Sequence, residues 1–222
     1  VAAAVKTTGV KQAVVQASKV HPLDHYLVKA FTVTTVAGPA DDINAPVDLD
    51  FDKGPLHPND LWVVNTDNLG HTVSIIHDAP FDRRSIEKRK DSRASHFMWR
   101  TMAIAMGDNG TFSTAQNGEP GGFDPFYQFM GPTLWSSDTA VFARVHQDSR
   151  RLLGSHLDML HQSPNCYGVA HEKDNVYWVT DSYYGDATRY DFQDPHEYGG
   201  HDHSDGIVRR FSEVKITKGQ RD

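Results

Sequence analysis

Cysteine is nearly absent: Cys166 stands alone in 222 residues, which excludes an intrachain disulfide and leaves the redox compartment open. No run approaches the roughly 18 apolar residues of a membrane span. Basic residues are the minority, 22 Lys+Arg against 29 Asp+Glu for a net charge of -7. That balance argues against a nucleic-acid-binding face, which needs clustered positive charge. The one basic run, Arg83–Lys90, is short and carries no aromatic residue. It reads as a solvated loop. The sequence also lacks a G-x-S-x-G elbow, a P-loop and a G-x-G-x-x-G turn. The first twenty residues have neither an initiator Met nor a long apolar core, so they resemble a processed N-terminus rather than a signal peptide. This favours a periplasmic, organelle-lumen or secreted protein.

What is present is β texture. Hydrophobic residues make up 38% and charged residues 23%, enough to build a packed core. Residues 1–30 are Ala/Val-rich with scattered lysines and read as an N-terminal arm. From Phe31 to the end the chain reads as β-structure. FTVTTVAG (31–38), PVDLDFD (46–52), LWVV (61–64) and TVSII (72–76) predict four short strands separated by Asn/Asp/Gly turns. PVDLDFD alternates apolar and acidic residues with period 2. The pattern then recurs. TMAIAMGDNGTFSTAQNG (101–118) holds two strands around a strong Asp-Asn-Gly hairpin, with further strands expected at 132–136 and 141–145. CYGVAHEKDNVYWVTDSYYGDATRYDF (166–192) holds three more, and GIVRRFSEVKI (206–216) a fourth.

Recurring four-stranded units imply a β-propeller, whose blades stack face to face around an axis. VTTVAG, PVDLDFD and LWVVNTDN, together with GVAHEKDNVYWVTDS, TRYDF and IVRRF, resemble the NHL-repeat propellers. The resemblance covers about residues 31–216 and implies antiparallel four-stranded blades. About three are visible, while closed propellers usually have at least four. Three explanations stay open: the chain is part of a longer one, the long insertions hide degenerate blades, or another chain completes the array. Amidating-lyase propellers, which are related, carry an axial zinc, and His71 and His171 are candidates by that analogy. Neither falls in a matching motif.

Two constellations offer chemistry. Thirteen histidines are many for this length, and five potential ligands cluster in one Gly-rich loop: His196, His201, Asp202, His203 and Asp205. Imidazole and carboxylate donors suit Zn or Cu, and the Asp oxygens suit Ca, although the spacing is not that of an EF-hand. The second is the set of equivalent blade loops, which in a propeller converge on one face. It brings Asn65, Asp67, Asn68, His71, Gln116, Asn117, His171, Asp181 and Tyr183 to a candidate ligand face. The same residues also serve simply to hold tight turns. Cys166, with His161 and His171 five positions away on either side, reads as a small buried residue. The aromatic insertion at 119–131 is too apolar for a plain loop and either lids the face or docks on a partner.

Together these features point to a protein-binding scaffold within a larger assembly, with other protein chains as partners. The alternative is a metal-dependent propeller enzyme, lyase- or hydrolase-like, or a metal-binding protein using the His-rich loop or axial residues.

Overall fold

A computed structural model of the protein describes residues 34–55, 57–66, 71–118 and 130–216. Two units separate at Val36/Ala37, and the second carries the β-structure. Its described residues form three four-stranded antiparallel sheets, each a meander in chain order. Blade 1 is β1 (Pro46–Phe51), β2 (Leu61–Asn65), β3 (Thr72–His77) and β4 (Ser85–Arg89). Blade 2 is β5 (Thr101–Met106), β6 (Thr111–Gln116), β7 (Thr133–Ser136) and β8 (His156–Met159). Blade 3 is β9 (Cys166–Lys173), β10 (Val176–Asp181), β11 (Asp186–Asp191) and β12 (Ile207–Phe211). The first strands stack in sequence, β1 on β5 and β5 on β9. This is the blade architecture of a β-propeller. Among the described residues no helix is long and apolar enough to cross a membrane.

A strand of period 2 ordinarily turns its apolar side to the core. In β1 the acidic side faces the neighbouring blade instead. Asp48 Oδ1 accepts the N–H of Leu49 at 2.9 Å and Oδ2 accepts that of Ile104 at 3.0 Å. Asp50 repeats this with Phe51 and Met106, both at 2.9 Å. β1 and β5 are the edge strands of their sheets, so these N–H groups have no ladder partner. Each carboxylate thus satisfies one edge donor on its own strand and one on the next blade. Lys53 adds a third tie, donating to the Met106 carbonyl at 2.8 Å.

Behind these ties, Trp62, Val64, Val73 and Ile75 of blade 1 meet Ile104, Met106, Phe112 and Trp135 of blade 2. Phe142 fills the space between them, its ring 5.5 Å from Trp62 and 5.4 Å from Trp135. The second inter-blade core is small against large: Ala103, Ala105 and Ala115 of blade 2 lie against Tyr177, Val179 and Tyr190 of blade 3. Asn175 latches that pair from blade 3, its Oδ1 accepting from Asn109 at 2.8 Å and Thr111 at 3.1 Å.

Several sequence expectations need correction. In the run Phe31–Gly38 the described residues, Thr34 onward, form no strand. Blade 1 instead takes its fourth strand from the basic run expected to be a solvated loop. β4 lies there because Arg89 is buried, paired with Glu87 at 2.6 Å and donating to the carbonyls of Phe142 and Thr139. Residues 141–145 are turns rather than a strand, held by Phe142 in the core and by Asp91, which accepts from Ser155 and Gln147. The outer strand of blade 2 is therefore β8. The arm at 1–30 and the insertion at 119–129 lie outside the described residues.

This packing has consequences for stability. Asp48→Ala and Asp50→Ala each strand two edge donors, one on β1 and one on β5, and should each cost about 1.5–3 kcal/mol in urea unfolding. A loss near zero in both would mean that the carboxylates do not hold the blades. A pH dependence is expected from His77, which lies between Asp60 at 2.6 Å and Glu87 at 3.1 Å. Burial favours its neutral ring, but hydrogen bonds to both carboxylates outweigh this and raise it above 6.5. Glu87, which burial alone would raise, is lowered below 4.5 by its bonds to Arg89 and His77. The His77 contribution is complete below pH 6.5 and is lost as pH rises through the raised value. The Glu87 contribution is present above pH 4.5 and is lost as pH falls through the lowered one. Compared with His77→Gln, the wild type should be more stable near about pH 6, with the difference shrinking by about pH 9. A difference independent of pH would contradict the pairing.

Candidate functional site

The His-rich loop between β11 and β12 is pinned to blade 2 by Gly199. Its N–H donates to the His156 carbonyl at 2.7 Å, and its carbonyl accepts from Leu153 at 2.8 Å. Gly199 has φ +71°, and a Cβ there would strike Gly154 and Leu153, so glycine is required for the approach. This reciprocal pair lays the loop over Asp158 of β8.

Asp158 is fully buried. Its Oδ1 accepts from the Met159 N–H and from His203 Nδ1, both at 2.6 Å. Its Oδ2 has no hydrogen-bond partner among the described residues and lies 3.9 Å from His196 Nε2. His196 Nε2 is in turn 2.7 Å from Asp205 Oδ1. The three ligand-type atoms of Asp158, His196 and Asp205 all fall within 4.8 Å of one another. Burial works against charge on His196, but its bond to Asp205 and the nearby Asp158 carboxylate hold the imidazole above its ordinary value. Beneath them His156 is the opposite case: burial pushes it down to about 4. It stacks on Phe97 at 3.7 Å and donates from Nδ1 to the Leu153 carbonyl at 2.8 Å.

Of the five loop candidates, the structure gathers three around one carboxylate and separates two. His196, His203 and Asp205 meet at Asp158. His201 turns away to the Arg151 carbonyl at 3.0 Å, and Asp202 caps Ser204 through its N–H and hydroxyl. An extended segment would have pointed His201 and His203 to one side; the Asp202–Ser204 turn separates them. Asp158 itself is not among the sequence candidates. It sits in HLDM, far upstream, and no local pattern there marks a ligand.

The blade-loop candidates occupy equivalent places. Asn65, Gln116 and Asp181 each end the second strand of a blade, opposite Pro46, Thr101 and Cys166 at the start of the first. All three are buried and each makes hydrogen bonds at the rim, while Gln116 Oε1 and Asp181 Oδ2 have no hydrogen-bond partner among the described residues. Asn65 accepts from Asn44 and donates to Ser74 at 3.0 Å. Gln116 donates to Thr133 at 2.6 Å. Asp181 accepts from the Tyr183 N–H at 2.8 Å, and burial raises its carboxyl above the usual range. Asn117 joins blades 2 and 3 by donating to the Tyr167 hydroxyl at 2.7 Å. His71 is buried, its Nδ1 accepting from the Arg100 N–H at 3.3 Å. His171 donates to the Asp174 carbonyl at 2.9 Å. Tyr183 is exposed, its ring 4.8 Å from that of Tyr184. Asp67 and Asn68 lie outside the described residues. Cys166 is buried, donates to the Ser163 carbonyl and has its thiol pushed well up by burial, which is the environment of an inert side chain.

No family model matches the sequence, and no curated protein matches it. Among solved structures the chain is similar to YCF48 from Cyanidioschyzon merolae, at 14% identity and a TM-score of 0.40. That match covers 65% of this chain and 36% of the other, so this chain spans little more than a third of that protein's length. The chain's own three sheets, each a four-stranded meander stacked through its first strand, are those of a β-propeller domain.

Proposed function

We propose that this chain is a protein-binding scaffold that completes its NHL-like blade array by seating a second copy of itself on the free face of blade 1. One contrast between blades carries the reading. Ile104 and Met106, on the side of β5 turned to the preceding blade, are 3% and 0% exposed. Leu49 and Phe51 hold the same positions in β1 and are 55% and 42% exposed. The segment 37–45 covers part of this face, with Ala37 and Ile43 packed on Leu61, Val63 and Ile76. Among the described residues the inner strand is left bare.

The other inner face that the described residues leave uncovered fits as the occupant. Along the inner strands, the side turned to the following blade carries Asp48 and Asp50, then Ala103 and Ala105, then Gly168 and Ala170. In blade 2 those alanines lie against the larger side chains of blade 3. Gly168 and Ala170 of a second copy offer Leu49 and Phe51 the same small-against-large contact. This contact is head-to-tail, and a ring results if the rotation closes. Two copies would then supply six blades, within the range of known propellers.

Sedimentation equilibrium on the purified chain should give a mass above the 24.8 kDa of one copy. Leu49→Asp with Phe51→Asp on one face, or Ala170→Trp on the other, should each return it to one copy with an unchanged circular dichroism spectrum. These positions are exposed, so folding is not at stake. A single-copy mass at all concentrations, or an assembly indifferent to both changes, would overturn the reading.

A further inference from the structure

A binding site of a different kind lies on the outer side of blades 2 and 3. We propose that Asp158, His196 and Asp205 together hold one divalent transition-metal ion of the zinc type, with His203 orienting Asp158. Asp158 Oδ2 is the telling atom. It belongs to a fully buried carboxylate and has no hydrogen-bond partner among the described residues, while Oδ1 of the same group is held from two directions. An oxygen of a buried carboxylate left without a donor is costly unless a cation meets it. His196 Nε2, at 3.9 Å, is too far to be that donor.

The donor set decides the class of ion. One imidazole nitrogen and two carboxylate oxygens form a mixed N/O site, which suits zinc and its first-row neighbours; calcium and magnesium prefer oxygen alone. Three protein ligands also leave a tetrahedral ion one open position. In a tetrahedral site with bonds of about 2.0–2.1 Å, neighbouring ligand atoms stand about 3.4 Å apart. The observed 3.9 Å from His196 to Asp158 and 2.7 Å from His196 to Asp205 bracket that spacing. The contact from His203 Nδ1 to Asp158 Oδ1 is the outer-shell bond that metal-binding carboxylates commonly carry. The site spans two blades, because Asp158 belongs to β8 and the other residues to the β11–β12 loop. A bound ion would therefore clamp blade 2 to blade 3 at the rim opposite the inner strands. The site is independent of whether the chain assembles with a second copy.

The test is zinc titration of the chelator-stripped full chain, with bound metal counted by elemental analysis and affinity measured by calorimetry. The expected result is one equivalent of zinc in the wild type, lost in both His196→Gln and Asp205→Asn, whose side chains are partly exposed and leave the fold intact. His203→Ala should keep the stoichiometry with affinity weakened about 10- to 100-fold. His201→Ala, in the same loop but turned to Arg151, should bind like the wild type. Less than a stoichiometric amount in the wild type would overturn the assignment. So would zinc that survives both ligand changes, or zinc lost equally on His201→Ala, since either result would make the His-rich loop a non-specific chelator.

Discussion

Two carboxylates on one edge strand set the arrangement of the first two blades. A meander ends in an unpaired strand, and an unpaired strand exposes N–H groups that must bind something. Asp48 and Asp50 each take one such donor from β1 and one from β5. The contact that satisfies the edges therefore also fixes the spacing and register of neighbouring inner strands. Large apolar side chains on β2, β3, β6 and β7 then fill the wedge between sheets whose inner ends are already tied.

The same arrangement accounts for what blade 1 leaves uncovered. With its acidic side committed to blade 2, β1 must turn Leu49 and Phe51 the other way, where the corresponding Ile104 and Met106 of blade 2 are buried. Blades 2 and 3 use a different device. Alanines on the inner strand of blade 2 allow close approach, and Asn109, Thr111 and Asn175 replace the carboxylates as the latch. At the outer rim the junction is carried by Gly199, Leu153 and His156, which bring the His-rich loop onto Asp158. Blade junctions are thus polar at the rims and apolar between, and the candidate metal ligands are the outer polar contact of the second junction.

Much of this architecture is legible in the sequence, and the exceptions have physical reasons. Blade 3 can be read almost residue by residue because its four strands are β-branched or aromatic and separated by short turns or one recognisable loop. β4 is hidden because Ser85–Arg89 is mostly charged, and its place comes from pairing with β3 and from the burial of Arg89 against Glu87. β8 is hidden because His156–Met159 ends a long turn-rich stretch and contains no β-branched residue. Its place as an outer strand comes from pairing with β7, a long-range contact that no local pattern reports. The metal candidates are half legible for the same reason. The loop shows its histidines, but the residue that gathers them belongs to another blade. Asn65, Gln116 and Asp181 do fall at equivalent strand ends, where Asn65 and Gln116 bond to Ser74 and Thr133 on the neighbouring strands and Asp181 to the Tyr183 turn.

The most direct measurement is native-state amide hydrogen exchange of β5. Ile104 and Met106 sit on an edge strand and point away from β6, so without the carboxylates their amides would exchange as exposed edge donors do. The account predicts protection comparable to that of the central strand β6, falling selectively at Ile104 in Asp48→Ala and at Met106 in Asp50→Ala. Rapid exchange of both amides in the wild type would contradict it.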